Sequence, residues 1–219
     1  MTDVLLVIAF AVSGYLLGSI NVSIIVSNLA YRSDVRKYGS GNAGATNMAR
    51  VYGLAGGIIT LVCDFLKCIA AMLPAYLVGR TVGGADLAEY CKVAAGAACL
   101  LGHAFPLYFK FKGGKGISVG AALALMVEWR ILLIILGVFI LVFVISRIVS
   151  LSSLCAALAF IVSAMIIYVF QGGTAYLTLW ELVISIAAPI FVIWLHRSNI
   201  VKLLRGEEKK FTYKKQNKE

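Results

Sequence analysis

The chain has 219 residues, of which 61% are hydrophobic and only 14% charged, with a mean hydropathy of +0.94. So little polar surface cannot coat a soluble globule, which excludes a water-soluble domain and predicts a polytopic membrane protein. The net charge of +10 comes from twenty Lys and Arg clustered between apolar runs, the pattern of the positive-inside rule, and this argues against a nucleic-acid partner.

The start, MTDVLLVIAF, carries Asp3 but no Lys or Arg, and no small-residue cleavage site follows, so it reads as a first span rather than a removable signal. That span, Val4 to Ala30, exceeds the ~20 helical residues a bilayer requires and is interrupted only by GSINVS, Gly18 to Ser23. Gly14 and Gly18 form a GxxxG pair suited to close helix packing. Tyr31 to Arg50 follows, with four cations and the polar cassette GSGNAGATNMAR, Gly39 to Arg50.

The next apolar run, Val51 to Gly79, holds 29 residues, so its first turns are expected at the interface or dipping back into the protein. Within it Asp64 and Lys67 sit three apart on one helical face, where each can neutralise the other. Arg80 to Glu89 reads as a short loop and Tyr90 to Leu107 as a third span, leading into GHAFPLYFKFKGGKG, Gly102 to Gly116.

The run from Ile117 to Ile145 is broken by Glu128, Trp129 and Arg130. Two crossings here place sixteen cations on one side and only Arg80, Lys92 and Arg130 on the other, whereas one crossing erases the asymmetry, so two are expected. Val149 to Phe170 and Tyr176 to Leu195 complete seven transmembrane helices, with the N-terminus outside and the C-terminus cytoplasmic. The basic tail, about 197–219, is expected to lie on the anionic leaflet or fray in water. Cys63, Cys68, Cys91, Cys99 and Cys155 are odd in number and lack CxxC spacing, so they read as buried thiols and no metal site is expected. With no repeat and no separate soluble domain, residues 1–219 form a single membrane-embedded, all-α domain.

On this topology four polar segments face the same side: GSIN (Gly18 to Asn21) with the cassette, the lysine loop, SRIVSLSS (Ser146 to Ser153), and HRSN (His196 to Asn199). Together they can build an anion site. In the cassette, glycines permit close backbone approach, Ser40, Asn42, Thr46 and Asn47 offer neutral donors, and Arg50 and Arg36 add charge. The same composition also makes an ordinary turn between helices. FKGGKG lacks the spacing and the Ser or Thr of a nucleotide P-loop, but Lys112 and Lys115 can hold a phosphate or simply anchor the loop to the membrane. His196 and Asn199 share one helical face where the last span leaves the membrane, while His103 stands near a span end before Pro106.

These motifs resemble the bacterial membrane-integral acyl-phosphate:glycerol-3-phosphate acyltransferases, the PlsY family. The segments that match are GSIN, GSGNAGATN at Gly39 to Asn47, GHAFPLYFKFKGGKG, and HRSNIVKLLRGEE at His196 to Glu208, in order along nearly the whole chain. The resemblance implies transfer of an acyl group from a fatty acyl phosphate to the 1-hydroxyl of glycerol 3-phosphate, giving lysophosphatidic acid and phosphate, without a metal or other cofactor. It implies a multi-pass protein of the bacterial cell (inner) membrane with its active site facing the cytoplasm, in contact with membrane lipid and with the soluble enzyme that makes acyl phosphate. It carries catalytic roles onto His196, Asn199 and Ser40. Phosphate binding falls to Asn42, Asn47, Arg50, Lys112 or Lys115, and Ser150 or Ser153, with Ser19, Asn21 and His103 in support. Two departures stand out: DFLKC, with Cys68 where the family often has Gly, and Ile117 and Ser118 after GGKG.

An acyl phosphate is already activated, so such an enzyme needs mainly to align and desolvate the reactants while neutralising two phosphates. No His is followed five positions later by Asp: His103 meets Tyr108 and His196 meets Val201, unlike the HxxxxD pair of soluble-type glycerolipid acyltransferases. The competing reading is a small-anion transporter for phosphate or glycerol phosphate. Such proteins place their helix breaks near the bilayer midplane, not at span ends on one side.

Overall fold

The computed structural model describes residues 2–170 and 177–212, which are largely helical and include no strand. The expected start of the last span at Tyr176 and the tail beyond residue 212 lie outside the described residues. The helices are α1 (Thr2–Gly18), α2 (Val22–Tyr31), α3 (Ala45–Tyr52), α4 (Leu54–Ala104), α5 (Ile117–Val127), α6 (Trp129–Ser146), α7 (Val149–Phe170), α8 (Leu179–Leu195) and α9 (Arg197–Leu204). Among the described residues, four stretches are long and apolar enough to cross a bilayer: Thr2–Tyr31, Leu54–Phe109, Trp129–Ser146 and Val149–Phe170. Helix α8 is as apolar but one residue short of that length, and it reaches it only together with α9, which bends away by 60°.

The first apolar run is not one helix. It breaks at Ser19 and Ile20, and Asn21 caps a new helix, its side-chain oxygen accepting from the Ile24 N–H at 3.2 Å and the Ser23 hydroxyl at 2.7 Å.

The expected loop from Arg80 to Glu89 is absent: helix runs through it except at Gly84, whose φ of 80° reverses the chain in a single residue. A Cβ built on Gly79 would lie 2.7 Å from the Ala88 Cα, and one on Gly96 would lie 2.8 Å from the Met72 sulfur. Residues nine apart in a straight helix are separated by about 13 Å, so the arms of α4 before and after Gly84 are antiparallel neighbours.

Helix α1 packs along the second arm through bare backbone. A Cβ at Gly14 would collide with the Ala95 carbonyl oxygen, and one at Gly18 with that of Cys99. The larger apolar run breaks where the charges predict. Helix α5 ends at Val127, and Glu128 caps α6 by accepting from the Arg130 N–H at 3.2 Å. With 11 residues α5 is only about 16 Å long, half the hydrocarbon thickness. A core of buried side chains from α4, α5, α6, α7 and α8 joins these elements. Away from the polar segments, the Lys92 ammonium sits 2.7 Å from Glu89 and 2.6 Å from Glu181, which with Thr178 forms the capping box that starts α8. All five cysteines are free; Cys68, Cys91 and Cys99 are buried and Cys63 and Cys155 partly so.

The α1 contact gives a stability prediction. Gly18→Ala forces a methyl group into the Cys99 carbonyl and is expected to cost about 1–3 kcal/mol, read as a lowered thermal midpoint in detergent. Gly137→Ala on α6, where a Cβ meets nothing within 4 Å, is expected to leave the midpoint unchanged or slightly raised.

Candidate active site

The cassette is folded by its own polar groups. Asp34 caps the 3-10 turn Val35–Lys37 and pairs with Arg36 at 2.7 Å, which holds its carboxyl below the usual carboxylate range. Arg36 in turn donates to the carbonyls of Phe109 and Lys112, both at 3.0 Å, clamping the cassette to the lysine loop. Its guanidinium is therefore a brace and not a phosphate ligand. The Asn47 amide is likewise engaged with backbone: it donates to the Val35 and Tyr38 carbonyls at 3.1 Å and accepts from the Ser40 N–H at 2.9 Å. That acceptor stands so close to Gly39 that a Cβ there would strike it, and φ at Gly39 is +62°.

Beneath the lysine loop lies a buried cluster from the two arms of α4. The Lys67 ammonium is 2.7 Å from Asp64 Oδ1, 3.1 Å from His103 Nδ1 and 2.8 Å from the Ile20 carbonyl that it bonds. The pairing of Asp64 with Lys67 is thus as expected, with His103 added 3.5 Å from the carboxylate. Above the cluster, the Gly113 and Gly114 N–H groups donate to the Ala104 and His103 carbonyls at 3.1 Å. Asn21 and Ser19 complete the support: Asn21 donates to the Ala43 carbonyl at 3.4 Å, and the Ser19 hydroxyl accepts from the Leu107 N–H at 3.2 Å.

These braces leave a cavity of about 620 Å³ between the cassette, the lysine loop, α7 and α9. Ser40, Asn42, Asn47, Arg50, Lys115, Ser150, Ser153, His196 and Asn199 line it, with Asp64 and His103 also in the wall. Lys112 is exposed and outside that wall, so of the two loop lysines it is Lys115 that faces the cavity. Ser19 and Asn21 also stand outside it, as buried supports. Three helices begin at the cavity, at Ala45, Ile117 and Val149, and neither α3 nor α5 has a side-chain cap on its first N–H groups. Uncapped helix starts and cations together make an anion-binding lining.

One anionic oxygen is already seated there. Glu208 Oε1 accepts from the Ser150 hydroxyl at 2.7 Å and from the Asn199 amide at 2.9 Å, while Lys115 bonds the Asn199 side-chain oxygen. Sequence reasoning missed Glu208, together with Lys202 and Asp64 as lining residues. The only signal for Glu208 was its place at the end of the HRSNIVKLLRGEE motif. The described start of the tail, to residue 212, folds back over the site. Gly206 turns it, and the Phe211 N–H donates to the Arg147 carbonyl at 2.7 Å, so residues 207–210 cross the cavity.

An apolar groove of about 410 Å³ continues from this cavity into the helices. Leu61, Gly116, Ile117, Ser118, Phe139 and Ser153 line both, so the polar and apolar spaces share one boundary.

A family model described as glycerol-3-phosphate acyltransferase matches residues 8–206. The glycerol-3-phosphate acyltransferase of Mycoplasmopsis synoviae (strain 53) is 40% identical over 210 residues, covering 92% of this chain and 93% of its own. That of Listeria welshimeri is 36% identical over 208 residues, covering 94% and 97%. The chain belongs to the glycerol-3-phosphate acyltransferase family. Its fold matches the crystal structure of PlsY, an integral membrane glycerol 3-phosphate acyltransferase, in the glycerol 3-phosphate form, with a TM-score of 0.78, 30% identity and coverage of 94% and 96%. The lysophosphatidic acid form of PlsY gives a TM-score of 0.74 at 32% identity, covering 97% and 96%. The acyltransferase is therefore an integral membrane protein of phospholipid biosynthesis.

Burial decides the protonation of the acyltransferase's two central groups. It pulls the His196 imidazole down to about 4, against the Val192 carbonyl, which favours the charged ring. A carbonyl only accepts, so the 2.8 Å bond to Val192 puts a proton on Nδ1 and leaves Nε2 as an acceptor. Burial also lowers Lys115 to about 8; Glu208 opposes this, while Lys202 and Arg50 reinforce it.

Lys115 stands in the cavity wall with its pKa lowered to about 8, so the cavity loses a positive charge as pH rises through about 8. The kcat/KM for glycerol 3-phosphate is accordingly expected to fall above pH 8. Lys115→Arg, whose guanidinium stays charged, is expected to remove that alkaline limb, and Glu208→Gln to move it to lower pH by withdrawing the opposing carboxylate. A pH series of initial rates checks both signs.

Proposed function

We propose that this acyltransferase moves a fatty acyl group from acyl phosphate to the 1-hydroxyl of glycerol 3-phosphate, releasing lysophosphatidic acid and inorganic phosphate. The observation that carries this reading is the shared boundary between an anion-binding cavity and an apolar groove. An acyl phosphate is a molecule of that form: its phosphate belongs in the cavity, its chain in the groove, and its carbonyl at the junction.

In this reaction the acceptor hydroxyl oxygen attacks the carbonyl carbon, the new ester bond forms, and the carbon–oxygen bond to phosphate breaks. The hydroxyl proton ends on the phosphate that leaves. His196 Nε2 accepts the hydrogen bond of the acceptor and sets its direction; with a pKa of about 4 it is too weak a base to hold the proton through the reaction. Asn199 and Ser150 hold a phosphate oxygen where Glu208 now sits, and Lys115 and Arg50 neutralise its charge. Ser40 and Asn42 offer donors from the cassette side. Asn47 acts indirectly, by shaping the loop that carries them. His103, Asn21 and Ser19 hold the loops in place.

Counting the two arms of α4 separately and taking α5 with its following turn as one short crossing brings the spans to seven. The cation asymmetry then supports an N-terminus outside and a site and C-terminus facing the cytoplasm of the bacterial inner membrane.

Purified enzyme supplied with glycerol 3-phosphate and either palmitoyl phosphate or palmitoyl-CoA tests the donor. Lysophosphatidic acid is expected from the phosphate alone, and transfer from the CoA ester alone sinks the reading. His196→Ala is expected to lower kcat about 100-fold while the variant still unfolds cooperatively in detergent. A folded variant with full activity removes His196 from its positioning role.

A further inference from the structure

The apolar groove is hollowed out by small side chains. Gly120 and Ala121 on α5, Ala156 and Ala157 on α7, and Ala188 on α8 leave its volume open. Gly120 goes furthest: it lies inside a helix and is half-buried, yet a Cβ built there meets no atom within 4 Å. Gly14, Gly18, Gly79 and Gly96 each have a neighbour that a side chain would hit, and Gly137 faces outward on α6. At Gly120 the open space is the groove itself. Glycine is a poorer helix former than alanine, so at this position open volume is present at a cost to the helix.

Helix geometry gives the groove a scale. From Ser153 to Phe160 on α7, and from Phe139 to Leu132 on α6, it runs seven residues, about 10 Å. Gly120 is three residues, about 4.5 Å, beyond Ile117 at the junction with the polar cavity. An extended chain advances about 1.2 Å per bond, as backbone does over three bonds per residue, so the groove holds about eight carbons and Gly120 faces about the fourth. Along this length one side of the groove is open, its lining residues Leu61, Val62, Leu66 and Leu136 being 51%, 43%, 53% and 41% exposed, and its lining ends at Leu132 and Phe160.

We infer that Gly120 is a specificity-determining residue for the acyl chain. It opens the groove from about the fourth carbon, the protein reads about the first eight carbons, and the rest of a long chain lies in the bilayer. This rests on the assignment of the groove to the acyl donor, and it adds a length scale and a residue that controls it.

The test compares the unaltered enzyme with Gly120→Leu and with Gly137→Leu, a lipid-facing control on α6. Each is assayed with acyl phosphates of 4 to 16 carbons in one detergent, with micelle partition measured and divided out. For the unaltered enzyme kcat/KM is expected to rise by up to about fourfold per methylene to about eight carbons and then to level off. The ratio of Gly120→Leu to unaltered enzyme is expected near one at four carbons, tenfold or more lower at eight, and constant from there to 16. Gly137→Leu is expected to stay near one throughout. A Gly120→Leu ratio independent of chain length overturns the inference, and so does one that keeps falling between 8 and 16 carbons.

Gly120→Ala, which adds only a methyl group, is expected to show the same trend more weakly and serves if the leucine variant does not fold. Calorimetric binding of alkyl phosphates of the same lengths reads the groove without turnover. A normal alkyl phosphate profile with no transfer from any acyl phosphate therefore refutes the donor assignment and not the role of Gly120.

Discussion

A carboxylate, an ammonium and an imidazole meet in the apolar interior, and the rest of the molecule is arranged about them. Asp64 and Lys67 come from the first arm of α4 and His103 from the end of the second, so the cluster pins the hairpin where its arms carry the functional loops. Charges in such surroundings are tolerable only when they meet, and deleting one partner of a buried pair typically costs about 3–5 kcal/mol. Lys67 also holds the Ile20 carbonyl at the break between α1 and α2. The backbone of His103 receives the Gly114 N–H, so the glycine-rich loop hangs from the same cluster. A chain break, a hairpin and a loop are thereby set at one height, and Asp64 and His103 become part of the cavity wall above.

The site works because it lies on a boundary. On its polar side are helix starts, amides and cations that favour anionic oxygens; on its apolar side is a groove lined almost wholly by carbon. The two environments meet along the residues that line both spaces, among them Ile117, Phe139 and Ser153. Burial has two effects here. It favours the neutral form of His196 and weakens the hold of Lys115 on its proton.

The start of the tail shows what a charge count leaves out. It is part of a basic segment, yet its described residues cross the cavity, held by a backbone bond at Arg147 and the packing of Phe211 on Phe143. The residue in that stretch that is bound by the site's side chains is acidic, Glu208, held by Ser150 and Asn199. Counting charge gives the sign of a segment and says nothing about which single group is placed where.

Hydropathy and the grouping of cations by themselves determined the helical membrane class, the break near Glu128 and the gathering of four polar segments, because these are sums over neighbouring residues. The ion pair of Asp64 and Lys67 was legible too, since three residues make most of a helical turn. Other features came only from tertiary structure: the reversal at Gly84, the placing of Lys115 rather than Lys112 in the cavity wall, the use of Arg36 and Asn47 as braces, and the seat of Glu208. Each depends on the distance between groups that the sequence pattern does not bring together. Arg36 and Lys112 are 76 residues apart, and Ser150 and Glu208 are 58 apart. Such distances are set by helices packing through glycine contacts and a buried charge cluster, and no local sum contains them.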